Sequence, residues 1–161
     1  MKDGLEAQEK ISLLIPCYNE QEALPHFYRE AAAVLGQMPY DYEMIFVNDG
    51  SKDQTLAVIK ELAEQDRRVR YLSFSRNFGK EAAMYAGFCH AQGDYTAVMD
   101  ADLQDPPSLL PRMMEILQSG EYDSGAARRV SRAGEPLVRS WFARRFYKLV
   151  NRISDADIVD G

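Results

Sequence analysis

Four short apolar runs, residues 11–15, 44–47, 69–74 and 95–99, recur along the chain, and each is followed by a polar turn and a stretch of helical period. Each run is too short for a buried helix and is bounded by turn residues, so it reads as a buried strand. Between the strands, apolar residues recur at helical spacing. Residues 22–35 place Ala23, Phe27, Ala31 and Val34 on one face, and residues 53–65 place Leu56, Ile59, Leu62 and Ala63. Ser51 with Gln54 three positions on has the form of a capping box for that second helix. Third and fourth helices are expected over 80–91 and 109–118. Strand and helix alternating in this rhythm dictate an α/β fold, a mostly parallel sheet with helices on both faces.

In open sheets of this kind, ligands bind in the crevice beyond the carboxyl ends of the strands. All four strand ends here are polar: Pro16-Cys17-Tyr18-Asn19-Glu20, Asn48-Asp49-Gly50-Ser51, Ser75 to Lys80, and Asp100-Ala101-Asp102-Leu103-Gln104-Asp105. In an extended segment the Asp100 and Asp102 carboxylates, two positions apart, would face one point. Two hard oxygen donors suit Mg²⁺ or Mn²⁺, which keep sites open for substrate phosphates, and Gln104 could add an amide oxygen. The ordinary alternative is an acidic turn ahead of Pro106-Pro107. Asp49 reads either as part of a turn or as an acceptor for base or ribose donors. Arg76 and Lys80 flank Gly79 at the start of the third helix, an arrangement suited to a diphosphate, with solvated surface charge as the alternative. His26 and His90 have no ligand-spaced partners and read as structural or surface residues. Cys17 has no histidine nearby and reads as packing rather than as a nucleophile. Neither GxGxxG nor GxxxxGK[ST] follows the first strand, which disfavours a dinucleotide oxidoreductase and a P-loop NTPase.

Composition narrows the classes further. The chain has 161 residues, 46% hydrophobic and 27% charged, with a net charge of −6. That is one globular domain's worth of chain, without the basic field of a nucleic-acid binder. Two distant cysteines, Cys17 and Cys89, form neither a disulfide framework nor a zinc motif, and a reducing compartment is expected. No run of 18 apolar residues occurs, and residues 1–10 lack the apolar stretch of a signal peptide. The expected organisation is a polar extension over 1–10 and one intracellular domain over 11–161. Its final residues, Asp160-Gly161, follow a polar run that reads as a loop inside a domain.

The last third differs in charge. Between Arg128 and Arg152 there are eight basic residues and a single acid, Glu135. Val138, Trp141, Phe142, Leu149, Val150 and Ile153 recur there at helical spacing. A basic, aromatic, amphipathic helix can lie in a membrane interface and attract anionic lipid; packing against a core is the alternative. Its contrast with an otherwise acidic chain favours the membrane.

Taken together, "IPCYNE", "VNDGSKDQT", "SFSRNFGKEAAMYAG", "GDYTAVMDADLQDPP" and "RFYKLVNRIS" resemble family 2 glycosyltransferases of the GT-A fold. They are most similar to the polyprenyl-phosphate subgroup, which includes dolichol-phosphate mannose synthases and bacterial undecaprenyl-phosphate glycosyltransferases. The resemblance runs from about Ile11 to the end, and the last three motifs carry the subgroup. It implies inverting transfer of a sugar from a UDP- or GDP-linked donor to a polyprenyl phosphate. By position, Pro16, Tyr18 and Glu20 would line the base and ribose pocket, with Asp49 on the base. Asp100, Asp102 and Gln104 would hold a Mg²⁺ or Mn²⁺ bridging the donor diphosphate. Arg128 and Arg139 would meet the acceptor phosphate. The resemblance further implies an acceptor-side aspartate beyond Gly161, action at the cytoplasmic face of a membrane in cell-envelope synthesis, and C-terminal transmembrane helices absent from this chain. A second copy of the chain is a further candidate partner, and nucleic acid is not. The rival readings are a family 2 enzyme using a saccharide hydroxyl, a non-catalytic nucleotide-sugar binding module, and a nucleotidyltransferase. The first would need a carboxylate base, intact Asp100 and Asp102 weigh against the second, and the third usually opens with a glycine-rich phosphate loop.

Overall fold

A computed structural model describes residues 8–126, and its elements follow the expected alternation. They are β1 (Lys10–Cys17), α1 (Leu24–Leu35), β2 (Asp41–Asn48), α2 (Thr55–Gln65), β3 (Val69–Ser73), α3 (Lys80–His90) and β4 (Tyr95–Val98), then a 3₁₀ turn (Pro107–Leu109) and α4 (Leu110–Gln118). The strands form one parallel sheet in the order β3-β2-β1-β4. Described residues up to Asp123 make one compact unit, and Ser124 opens a second, of which only Ser124–Ala126 are described. The basic segment expected to form an amphipathic helix lies outside the described residues.

Alternation along the two central strands sorts their side chains between two layers. Ile11, Leu13, Ile15 and Cys17 of β1, with Tyr42, Met44 and Phe46 of β2, are buried on one face together with Phe27, Ala31 and Leu35 of α1, Ile59 and Leu62 of α2, and Leu110 and Met114 of α4. Leu14, Ile45 and Val47 occupy the other face, against Ala83 of α3. Gly87 lets α3 approach this closely, since a Cβ there would stand 2.5 Å from Leu14 Cδ1. Full burial of each such Leu, Ile or Phe contributes about 1.5–3 kcal/mol.

Toward the amino end of this second face the layer turns polar. Ser12 and Glu43 are register partners on β1 and β2, and Ser12 Oγ donates to Glu43 Oε1 at 2.7 Å. Glu43 is only 2% exposed; it also accepts the Gln92 N–H at 2.7 Å and Arg70 Nη1 at 2.6 Å. These contacts tie the loop after α3 to the sheet and satisfy the buried charge.

Several local details differ from expectation. α1 starts at Leu24 rather than Glu22, with Pro25 in its first turn, where proline's missing N–H costs nothing. No capping box forms at α2: the helix starts at Thr55 and Gln54 makes no side-chain cap. Asp53 Oδ1 accepts the Thr55 N–H at 3.0 Å, while Ser51 Oγ accepts the Asn19 N–H at 3.0 Å. Ser51 therefore serves a contact between loops rather than its own helix. Among the described residues no helix is long and apolar enough to cross a membrane.

Candidate functional site

The loops at the carboxyl ends of β1 and β2 are stitched to each other before they meet any ligand. Asn19 Oδ1 accepts the Lys52 N–H at 2.9 Å, Thr55 Oγ1 accepts the Glu20 N–H at 2.8 Å, and Gln21 Oε1 accepts the Gln54 N–H at 2.8 Å. Asn19 holds a left-handed backbone (φ 58°), a conformation asparagine tolerates better than most residues. Sequence places Asn19 at the first strand end without a role and does not single out Thr55. Their signal was short polar side chains just after one strand and at the start of the next helix, where backbone groups need partners.

The β2 end is bound as firmly to the α3 start. Gly50 has φ +64°, and a Cβ there would lie 2.2 Å from the Arg76 carbonyl carbon, so the two loops touch backbone to backbone. Asp49 is buried, and its carboxylate accepts the Phe78 N–H at 2.7 Å and the Gly79 N–H at 2.9 Å. The anion-favouring amino end of α3 is thus already served by a side chain of the fold.

Between these loops lies a cavity of about 330 Å³, within the usual range for small-molecule sites. The β1 end and the loop after it contribute Pro16, Cys17, Tyr18 and Glu20; the loop after β2 contributes Asp49; the α3 start contributes Asn77, Gly79, Lys80 and Ala83; and the segment after β4 contributes Asp100, Ala101 and Asp102. Of the expected residues, Pro16, Tyr18, Glu20, Asp49, Lys80, Asp100 and Asp102 therefore come together. Arg76 does not line the cavity; its guanidinium lies over the Phe78 ring, 4.3 Å from the centroid. Gln104 is also outside the lining, and its backbone N–H donates to Asp102 Oδ1 at 3.0 Å. Arg128 and Arg139 lie outside the described residues.

The Asp-Ala-Asp segment converges for a different reason than expected. β4 ends at Val98; Asp100 follows it, and Asp102 sits in a turn next to Leu103, which has φ 58°. The turn that begins after Asp100, rather than a continued strand, brings Asp102 to the cavity beside it. Lys80 Nζ lies 2.6 Å from Asp100 Oδ1 and 2.7 Å from Oδ2. Among the described residues no three His, Cys, Asp or Glu side chains cluster as a metal-ligand set. Asp100 and Asp102 supply two hard donors on one wall, and an ammonium already rests on one of them. That donor set fits a divalent ion completed by water and substrate oxygens, and it does not fit a closed protein cage.

Charge on this wall is felt by its neighbours. Glu20 is pushed above the usual carboxylate range by burial first, then by Asp102, Asp100 and Asp53. Burial, with lesser help from Glu20 and Asp100, pushes the Cys17 thiol far up, and Cys17 Sγ donates to the Ile15 carbonyl at 3.2 Å. A thiol so held is inert packing, as its sequence context indicated. His26 and His90 are both exposed and sit on local partners, Arg29 and the Ala86 carbonyl.

A larger groove, of about 910 Å³, lies at the opposite end of the sheet. Four of its charged side chains pair with each other, Arg68 with Asp66 at 3.0 Å and Arg70 with Glu43 at 2.6 Å. The strand-end cavity has the backbone loops, the flat side chains and the two carboxylates that small-molecule chemistry needs, and it is the candidate site.

Residues 12–160 match the family described as Glycosyl transferase family 2. The chain is 45% identical over 151 residues to the bactoprenol glucosyl transferase of Shigella phage SfV, covering 94% of this chain and 49% of the relative. It is 44% identical to the prophage bactoprenol glucosyl transferase homolog of Escherichia coli K12, covering 94% of this chain and 49% of the relative. The chain thus spans about half the length of the curated relatives it matches. Among solved structures, it superposes on the mannosyltransferase PcManGT of Pyrobaculum calidifontis, in complex with GDP-Man and Mn²⁺, with a TM-score of 0.59. At 20% identity, over 70% of this chain and 33% of that one, this likeness is one of fold.

Proposed function

The chain belongs to glycosyl transferase family 2, and from that premise we propose that it moves a sugar from a nucleoside-diphosphate donor to a polyprenyl phosphate at the cytoplasmic face of a membrane. The observation that carries the reading is the convergence of four strand ends on one cavity whose walls divide by chemistry. Pro16 and Tyr18 form the flat side, with Tyr18 41% exposed and available to a base. Glu20 and Asp49 add oxygen acceptors for ribose and base donors. Asp49 retains acceptor capacity beyond its two backbone bonds, because each carboxylate oxygen has two lone pairs. Lys80, beside Asp100, is the cation for the diphosphate.

Asp100 and Asp102 would hold a divalent ion, Mg²⁺ or Mn²⁺. When bound, the ion neutralises charge that develops on the leaving diphosphate. The relative solved with GDP-Man and Mn²⁺ shares this fold. The acceptor is assigned from the relatives named for bactoprenol. A phosphate monoester is already anionic near neutral pH, so this chain needs cations to bring two anions together more than it needs a strong base. Arg128 and Arg139, in the basic segment, are assigned to that task. The same segment would attract anionic lipid, at about 1 kcal/mol per basic residue near the surface. Single displacement with inversion is the expected stereochemistry.

The test is transfer from a panel of UDP-, GDP- and CDP-sugars to undecaprenyl phosphate with Mn²⁺, read as lipid-linked sugar. One donor class is expected to give product, and Asp102→Ala to give none. Sugar appearing only on saccharide acceptors would contradict the lipid assignment.

A further inference from the structure

Lys80 opens α3 and places its ammonium on both oxygens of Asp100, at 2.6 and 2.7 Å. The two side chains are 51% and 46% exposed. An exposed ion pair shifts an equilibrium by a factor of about five at most, so this one biases the carboxylate without locking it. A lysine ammonium and a divalent ion on one carboxylate repel each other, so each weakens the other's hold on Asp100. Among the described residues that line the cavity, the cationic side chain is Lys80.

We propose that Lys80 is a displaceable counter-ion that competes with the divalent ion for Asp100 and passes to the donor's diphosphate when that arrives. Metal and nucleoside diphosphate then bind cooperatively, each raising the affinity of the other by the same factor. The inference rests on the assignment of Asp100 and Asp102 to the metal. Before the donor binds, the ammonium offsets one carboxylate and repels a free divalent ion. Once phosphate oxygens accept the ammonium, Asp100 is released and the ion gains both a protein ligand and substrate oxygens. Burial first, and then Asp102 and Asp100, push Glu20 up, in keeping with a shared electrostatic environment on this wall. The long flexible stem of lysine makes such an exchange possible without backbone motion.

The experiment is calorimetric titration of Mn²⁺ into the chain and its Lys80→Met, Lys80→Gln and Asp102→Ala variants, without nucleotide and then with saturating UDP. Circular dichroism checks that each variant is folded. Without nucleotide, Lys80→Met and Lys80→Gln are expected to bind Mn²⁺ about fivefold more tightly than wild type, the scale of one exposed ion pair. UDP should then improve their Mn²⁺ affinity by a smaller factor than in wild type. Unchanged or weaker Mn²⁺ binding in both Lys80 variants, with Asp102→Ala still abolishing it, would overturn the counter-ion role and leave the metal site standing. Equal Mn²⁺ affinity in all four proteins would overturn both.

Discussion

Asp49 stands 30 residues before Gly79 in the chain, yet its carboxylate accepts the Gly79 N–H at 2.9 Å and the Phe78 N–H at 2.7 Å. One buried side chain thereby fixes where α3 begins, and with it the position of Lys80 at the cavity. Hydrogen bonds to a charged group contribute about 1.5–3 kcal/mol each. Asp49→Ala is accordingly expected to lower unfolding stability by about 2–4 kcal/mol and to weaken nucleotide binding as well. Urea denaturation followed by calorimetry measures both, and an unchanged urea midpoint would contradict the clasp.

Glu43 secures the other end of α3. Burial pushes its carboxyl up, but Arg70, Ser12, the Gln92 N–H and Lys10 together outweigh that and hold it below the ordinary 4.5. The folded value is therefore the lower one, and the unfolded chain takes up the proton first as pH falls. The stabilisation is full above the unfolded value and is lost as pH drops through the folded one. Glu43→Gln should cost about 2 kcal/mol at pH 7 and flatten the acid side of the stability curve. Parallel acid slopes in the two proteins would exclude this role.

Gly50 combines a left-handed backbone, φ +64°, with the close Arg76–Asn77 backbone. A side chain there meets both strain and collision, and neither neighbour is a flexible side-chain end. Gly50→Ala is expected to cost about 2–4 kcal/mol, since the positive φ alone costs about 1 kcal/mol or more. A thermal melt within two degrees of wild type would show that the two loops separate readily.

The period of the apolar runs is enough to read the sheet, because both central strands are buried on both faces and carry apolar sequence broken inside the sheet by Ser12 and Glu43. The strand-end rule then located Tyr18, Glu20, Asp49, Lys80, Asp100 and Asp102 without coordinates. What escaped the sequence was pairing between loops. Ser51 and Gln54 have the right spacing for a cap, but Asn19 competes for Ser51 from 32 residues away. Sequence leaves Asp100 to Asp105 open between an extended segment and a turn, because Leu103's left-handed backbone leaves no mark in a leucine. Arg76 was placed at the cavity by its neighbourhood, whereas the Phe78 ring draws it elsewhere.

The central claim is that the strand-end cavity is a metal-assisted site for a nucleoside diphosphate, with Asp102 among the ligands. Calorimetric titration of UDP or GDP into the chain, with and without Mn²⁺, tests it most directly when repeated with Asp102→Ala. The account predicts that Mn²⁺ tightens binding of one nucleotide by about tenfold or more, a 1.4 kcal/mol effect, and that Asp102→Ala removes the increment without unfolding the chain. Equal affinity with and without Mn²⁺, unchanged by Asp102→Ala, would contradict it.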